Sequence, residues 1–170
     1  TDKVYRNINQ VAGYVESDPL GGHDPYSSSK AMADLLTQSW ISSFPGAPTT
    51  IVRAGNVIGG GDVSKDRLMP DLISAYMNNK VPTLRYPHSV RPWQHVLDCL
   101  NGYLMVSESL LSGNENPIMN IGPDKESFVT VAKVAELVAS QLSAEPIWNL
   151  SEANDPHEAG LLSLDASLAK

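Results

Sequence analysis

One cysteine, Cys99, is all that the 170-residue chain contains, so neither a disulfide framework nor a cysteine metal cluster can organise it. Long apolar runs are missing as well. No stretch approaches the roughly 20 apolar residues that a membrane helix needs, and residues 1–20 lack the charged and apolar regions of a signal peptide. Basic residues are in deficit, with 12 Lys and Arg against 19 Asp and Glu, a net charge of −7. That balance argues against a nucleic-acid surface, which needs a basic patch, although a few local arginines can still reverse the field inside one cleft. The expectation is a cytoplasmic protein with neither a membrane nor a nucleic-acid partner. An initiator methionine is also absent: Thr1-Asp2-Lys3-Val4-Tyr5 reads as the exit of a strand, and Leu164 to Lys170 stops as a helix begins. Both edges read as cut from a longer chain.

What is present fits a globular domain: 42% hydrophobic and 18% charged residues, in a length that can bury one core. Asp24-Pro25 opens the first clear helix, because Asp accepts orphan N–H groups at an N-cap and proline suits the first helical position. Leu35, Leu36, Trp40 and Ile41 form its apolar stripe, and Pro45-Gly46 ends it. Thr49 to Val52 is a short β-branched strand that runs into the loop Gly55 to Asp62. A second helix is predicted from about Met69 to Asn79, then a strand near Thr83 to Tyr86 and a turn at Pro87-His88-Ser89. Residues 95–111 read as a helix stopped by Gly113-Asn114, and Ile118 to Ile121 as a buried strand. The last helix takes Thr130 as N-cap, with Val131, Val134, Leu137, Val138 and Leu142 at helical spacing. Strands alternate with helices, the signature of an α/β fold with a mainly parallel sheet covered on both faces.

The chemistry concentrates at Tyr26-Ser27-Ser28-Ser29-Lys30. Four residues make about one helical turn, so phenol and ammonium point to one side. An ordinary phenol, with a pKa of about 10, is a poor base at neutral pH, but a neighbouring cation stabilises the phenolate and makes it a general base for a sugar hydroxyl. Thr1, Asp2 and Lys3 lie at a predicted strand end, where ligands bind in open α/β sheets. Together they add a hydroxyl, a carboxyl and an amine, enough for proton transfers at two carbons. Downstream, Arg53-Ala54-Gly55-Asn56-Val57-Ile58-Gly59 places an amide at the end of the next strand. The glycines at 59–61 lack the G-x-G-x-x-G spacing of a dinucleotide phosphate loop and read as a flexible turn.

Six segments occur in order: Thr1-Asp2-Lys3, Tyr26 to Lys30, Arg53 to Asp62, Arg67-Leu68-Met69-Pro70-Asp71, Arg91-Pro92-Trp93-Gln94-His95-Val96, and Pro156-His157-Glu158-Ala159. The series resembles the nucleotide-sugar 4,6-dehydratases of the extended short-chain dehydrogenase family, over nearly the whole chain. Lys3 stands where the dTDP-glucose branch has glutamate, and Arg91 to Val96 likewise favours the CDP-glucose branch. The resemblance implies an internal redox cycle on tightly held NAD, with CDP-glucose as substrate. Tyr26 would take the 4-hydroxyl proton with Lys30 beside it, and Thr1 would hydrogen-bond that hydroxyl. Lys3 would take the C5 proton and Asp2 would protonate the departing 6-hydroxyl. Asn56, Arg67 and Arg91 match positions that hold the nucleotide diphosphate, where a guanidinium fork suits two phosphate oxygens. His157 matches a position in the substrate cleft, and the full-length protein is expected to be a homodimer joined through the Tyr26 helix. Periodicity does not separate an interface from a core role for Leu36 and Trp40.

The implied architecture is part of a doubly wound Rossmann-type parallel sheet with part of a smaller C-terminal substrate-binding lobe. Residues 1–58 and 92–121 fall to the nucleotide-binding domain, and 59–91 and 122–170 to the lobe. Strands near 1–5, 50–56 and 118–121 are expected to lie parallel in one sheet. The family's N-terminal G-x-x-G-x-x-G loop, which receives the dinucleotide pyrophosphate, does not occur in these residues, so the chain alone is expected to bind NAD weakly or not at all. Two other readings stay open: an epimerase or dehydratase of dTDP- or GDP-sugars, and an inactive binding or structural remnant. The Asp2-Lys3 pair favours dehydration over epimerisation.

Overall fold

The computed structural model describes residues 1–151 and 160–170. The first helix, α1 (Pro25–Ser43), starts where the Asp-Pro step predicts. Asp24 accepts from the Ser27 N–H at 3.0 Å while the Ser27 hydroxyl accepts from the Asp24 N–H at 3.3 Å, a reciprocal box that satisfies two donors. Its inward face, however, is Ser27, Ala31 and Asp34, not the predicted apolar stripe. Leu35, Leu36 and Trp40 face outward, the last two 71% and 53% exposed. The reason is electrostatic: β1 (Val52–Ala54) holds Arg53 beneath the helix, and Arg53 draws Asp34 inward.

Among the described residues, seven further strands and three further α-helices follow β1: β2 (Val57–Ile58), α2 (Leu68–Met77), β3 (Thr83–Leu84), β4 (Val90–Pro92), β5 (Gln94–His95), α3 (Val96–Leu111), β6 (Met119–Ile121), β7 (Phe128–Thr130), α4 (Val131–Gln141) and β8 (Asn149–Leu150). The strands pair as β1–β6, β2–β5 and β3–β8, all parallel, and β4–β7, antiparallel. The result is a mixed α/β fold with mostly parallel pairing, as the alternating pattern predicts. Residues 1–5 depart from it. They form no strand, because their donors are satisfied locally: the Lys3 N–H by the Thr1 hydroxyl at 3.2 Å and the Tyr5 N–H by the Asp2 carbonyl at 3.4 Å. Tyr5 keeps one isolated antiparallel bridge, to Leu20.

Helix α4 begins as expected, with the Thr130 hydroxyl accepting from the Lys133 N–H at 3.1 Å. Val134, Ala135, Val138 and Ala139 are its buried face and pack on Leu72 and Tyr76 of α2 and Leu84 of β3. Leu137 and Leu142, placed on that stripe by periodicity, are exposed. A second apolar cluster joins Val4, Tyr5 and Tyr14 to Leu162 and Leu164. The two chain segments meet backbone to backbone there: a Cβ on Gly13 would lie 2.6 Å from the Leu164 and Asp165 main chain, so only glycine permits the approach. Among the described residues, no helix is long and apolar enough to cross a membrane.

Arg53 is 1% exposed and Asp34 6%. Arg53 Nε and Nη2 donate to the two Asp34 oxygens at 2.8 and 2.9 Å, and Nη1 donates to the Tyr5 hydroxyl at 2.8 Å and the Glu16 carbonyl at 2.9 Å. Tyr5 in turn donates to Asn120 Oδ1 on β6 at 2.7 Å. Burial by itself would raise the Asp34 pKa, but hydrogen bonds from Arg53 and Gln38 outweigh it and hold the carboxyl below its ordinary range. Stability from this group is therefore full above the ordinary carboxylate pKa of about 3.9 and lost as pH falls through the lower folded value. Removing one partner strands a buried charge, which costs about 3–5 kcal/mol. Urea unfolding of Asp34→Ala at pH 7 should show a loss of that size, shrinking towards acid pH. A loss below about 1 kcal/mol would mean that the pair is not the constraint its geometry describes.

Candidate active site

A cavity of about 880 Å³ opens beside these elements, within the 300–1,000 Å³ usual for small-molecule sites. Thr1, Asp2 and Lys3 enter it from the first turn of the chain, Tyr26 from the start of α1, and Asn56 from the end of β1. Arg67, which precedes α2, and Arg91, on β4, line it as well. Seven of the nine residues singled out in the sequence thus share one space. Lys30 is not on the wall; its Nζ sits over the Tyr26 ring, 5.5 Å from the centroid, so its charge reaches the phenol through the ring face. His157 lies outside the described residues.

Asp2 is the most unusual group. It is 4% exposed, and among the described residues its Oδ2 has no hydrogen-bond partner. Burial pushes the carboxyl above its ordinary range, although the amino terminus, Lys3 and Arg91 pull the other way. A carboxyl whose charged form is disfavoured by burial is what a general acid needs. Gly55 leaves it room: a Cβ there would lie 2.8 Å from Pro92 Cγ and 3.6 Å from Asp2 Oδ2.

Four cations, Lys3, Arg67, Arg85 and Arg91, face three carboxylates, Asp2, Asp66 and Asp71, on a chain of net charge −7. Arg91 is buried and donates through Nη1 to the Val90 carbonyl at 2.8 Å. The cavity is thus locally suited to an anion, more so while Asp2 is protonated. Sequence reasoning missed several wall residues. Arg85 and Tyr86 follow β3, and Tyr103 comes from α3. Burial, with Cys99 alongside, pushes the Tyr103 hydroxyl up to about 12, so it faces the cavity protonated. Trp93 was visible within the Arg-Pro-Trp segment, and its indole N–H donates to the Val129 carbonyl at 3.2 Å. Tyr103 had no sequence signal beyond its place on a helix.

A family model described as the NAD dependent epimerase/dehydratase family matches residues 1–122. The chain belongs to that family. Over 99% of its length it is 41% identical to a CDP-glucose 4,6-dehydratase from Salmonella typhimurium, of which it covers 50%. It is 27% identical, over 86% of its length, to a dTDP-glucose 4,6-dehydratase from Haemophilus influenzae, of which it covers 43%. The chain spans about half the length of the curated relatives it matches. A solved dTDP-glucose 4,6-dehydratase from Bacillus anthracis in complex with NAD superposes with a TM-score of 0.83 at 25% identity, over 99% of this chain and 52% of that one. A UDP-N-acetylglucosamine 4-epimerase from Methanobrevibacter ruminantium, at a TM-score of 0.82 and 21% identity over 98% of this chain and 52% of that one, shares the fold. The architecture is thus that of the Rossmann-type dehydratases and epimerases.

The raised Asp2 pKa has a stability signature with a definite sign. A group whose folded pKa lies above its unfolded one stabilises most below the unfolded value and loses that contribution as pH rises through the folded value. Asp2→Asn, which cannot ionise, should therefore make the protein more stable than wild type at pH 8, with the difference fading below about pH 4. Thermal melts across that range check it; a variant less stable at pH 8 overturns the burial argument.

Proposed function

We propose that this chain is the proton-transfer and substrate-binding portion of a nucleotide-sugar 4,6-dehydratase that converts CDP-glucose to CDP-4-keto-6-deoxyglucose and water. The observation that carries the reading is the buried, partly orphaned Asp2 carboxyl in one cavity with Thr1, Lys3 and Tyr26. Asp2 and Lys3 together supply the acid and base that elimination requires and that C4 epimerisation does not. The 41% identity with the Salmonella relative favours CDP-glucose over a dTDP sugar. The two-lobe division at residues 58, 91 and 121 belongs to the same proposal.

NAD is the cofactor of this reading, and the residues present suit its nicotinamide end. Lys30 makes no hydrogen bond or ion pair to another described residue, which leaves its three donors open to ribose hydroxyls, and Tyr26 stands beside it. When bound, the dinucleotide supplies reversible hydride chemistry that no side chain here can provide. The chain's own residues handle the protons. Tyr26 takes the proton of the sugar 4-hydroxyl, which Thr1 holds by a hydrogen bond. The ketone formed at C4 acidifies the C5 proton, which Lys3 removes. Asp2 gives its proton to the 6-hydroxyl as the C6–O bond breaks and water leaves; Lys3 then returns a proton to C5 of the resulting C5=C6 double bond as the hydride taken from C4 is delivered to C6. Asn56, Arg67 and Arg91 hold the diphosphate; His157, a substrate-binding residue by the resemblance, lies outside the described residues.

The full-length enzyme is a homodimer in this reading, joined through the outward apolar face of α1, where Leu36, Trp40 and Phe44 stand exposed and Trp40 packs on Phe44 at 4.3 Å. Sedimentation at micromolar concentration should give a dimer, and Trp40→Glu a monomer. A wild-type monomer would sink the assembly.

The chemical test separates the two ends of the cluster in the full-length enzyme. Tyr26→Phe should lower dehydration by at least about 10²–10⁴-fold, with no reduced dinucleotide detected. Asp2→Asn and Lys3→Met should still oxidise C4, accumulate reduced dinucleotide detectable by its near-ultraviolet absorbance, and stall before water loss. Exchange of the C5 proton with solvent deuterium should survive better in Asp2→Asn than in Lys3→Met. Near-normal turnover in Lys3→Met would remove the assigned base.

A further inference from the structure

We propose that Arg53, with Asp34 as its partner, is the positioning residue that sets the C4 base and the C5/C6 acid–base pair at working distance from each other; the inference rests on the dehydratase reading above. Arg53 does not line the cavity and so is not placed to touch a molecule bound there. It binds instead to the supports of the groups that would. Asp34 follows Lys30 by four residues and Tyr26 by eight on one rigid helix, about 6 and 12 Å along its axis. Two parallel hydrogen bonds, at 2.8 and 2.9 Å, fix α1 in rotation as well as in place.

The same guanidinium donates to the Tyr5 hydroxyl at 2.8 Å. Tyr5 is three residues beyond Asp2, and its N–H donates to the Asp2 carbonyl within a tight turn. Arg53 itself sits on β1, whose continuation places Gly55 against Asp2 and Asn56 in the cavity. One planar group is therefore bonded to the helix that carries Tyr26 and Lys30 and to the turn that carries Asp2 and Lys3, and it sits in the strand that leads to Asn56. The carbons these groups would serve are adjacent on one sugar ring, so a misplacement of about 1 Å between helix and turn can cost on the order of 10²-fold in rate. A point charge in place of the fork would hold the charge balance but not the rotation.

The test compares Arg53→Lys and Asp34→Asn in the full-length enzyme, assayed well below each variant's melting temperature. The positioning role predicts a KM for the nucleotide sugar within about threefold of wild type and a kcat lower by about 10–100-fold. It also predicts a larger isotope effect with C4-deuterated substrate, as hydride transfer becomes slower than release. Tyr5→Phe, which loses the link to the turn and the bond to Asn120 but keeps the Arg53–Asp34 fork, should show the same signature at smaller size and stands in if Arg53→Lys does not fold. Lower melting temperatures with unchanged kcat and isotope effect would make the pair structural only and overturn the proposal. If wild type forms no 4-keto product, the dehydratase reading fails by itself. The linkage is then read from amide exchange: Asp34→Asn should speed exchange at residues 28–32 of α1 by about tenfold or more while residues 53 and 121 of the β1–β6 ladder hold. Unchanged exchange in α1 would overturn it.

Discussion

Burying the guanidinium of Arg53 is the constraint from which much of this structure follows. Taking such an ion out of water costs several kcal/mol, and the attraction of one carboxylate offsets that only with good geometry and further hydrogen bonds. Arg53 spends its donors on both Asp34 oxygens, the Tyr5 hydroxyl and the Glu16 carbonyl. Each acceptor belongs to a different part of the chain, so satisfying one cation forces α1, the first turn and the 6–20 loop into register with β1. The chain of bonds continues through Tyr5 to Asn120, which donates to the Tyr14 and Asp165 carbonyls at 2.8 and 3.1 Å. Asn120 lies opposite Arg53 in the parallel β1–β6 pair. A half-satisfied network of this depth would be worse than an apolar core, so its members must form together.

The same constraint explains why α1 was readable at its ends and not on its faces. Asp24-Pro25 and Ser27 are local signals, and a cap depends on atoms within one turn. Which side of a helix turns inward depends on its tertiary partner. Here the partner is a buried cation, so the polar Asp34 goes in and Leu36 and Trp40 stay out, against the hydrophobic period. Helix α4 met no such partner; its small apolar residues packed on α2, and periodicity missed only the edges of its stripe, Leu137 and Leu142. Short parallel strands are harder still, since β2, β3, β5 and β8 each hold only a two-residue ladder and carry little period to read. Residues 1–5 looked like a strand by composition, but the Thr1 hydroxyl and the Asp2 carbonyl took the donors a ladder would have used.

The candidate site was more legible than the sheet because its residues sit in contiguous motifs, each carrying its own chemistry. Thr1 to Lys3, Tyr26, Asn56, Arg67 and Arg91 converge because the strand ends and helix starts of an α/β fold face one side. Arg85, Tyr86 and Tyr103 reach the same cavity from β3 and α3 with no motif around them, and only three-dimensional proximity reveals them. The burial of Asp2 was equally hidden: nothing in Thr-Asp-Lys says that the chain at Gly55 will lie against its carboxyl.

The two polar groups of this fold follow opposite rules, and the opposition is itself an argument for function. Arg53, Asp34, Tyr5 and Asn120 each hydrogen-bond to partners within the protein, as a structural network requires. A few residues away in sequence, Asp2 keeps an oxygen without a described partner, and Lys30 meets only the face of an aromatic ring. A fold selected for stability alone would pair the Asp2 carboxyl or replace it with a neutral side chain, since the attraction of Lys3 and Arg91 offsets only part of what burying an unpartnered carboxyl costs. That cost is tolerable where the vacant oxygen is to meet a substrate hydroxyl, and where the neighbouring network is rigid enough to prevent the turn from collapsing onto it. Paired groups beneath and open ones above would divide the labour in the proposed reading: the first set holds the geometry, and the second is left for proton exchange.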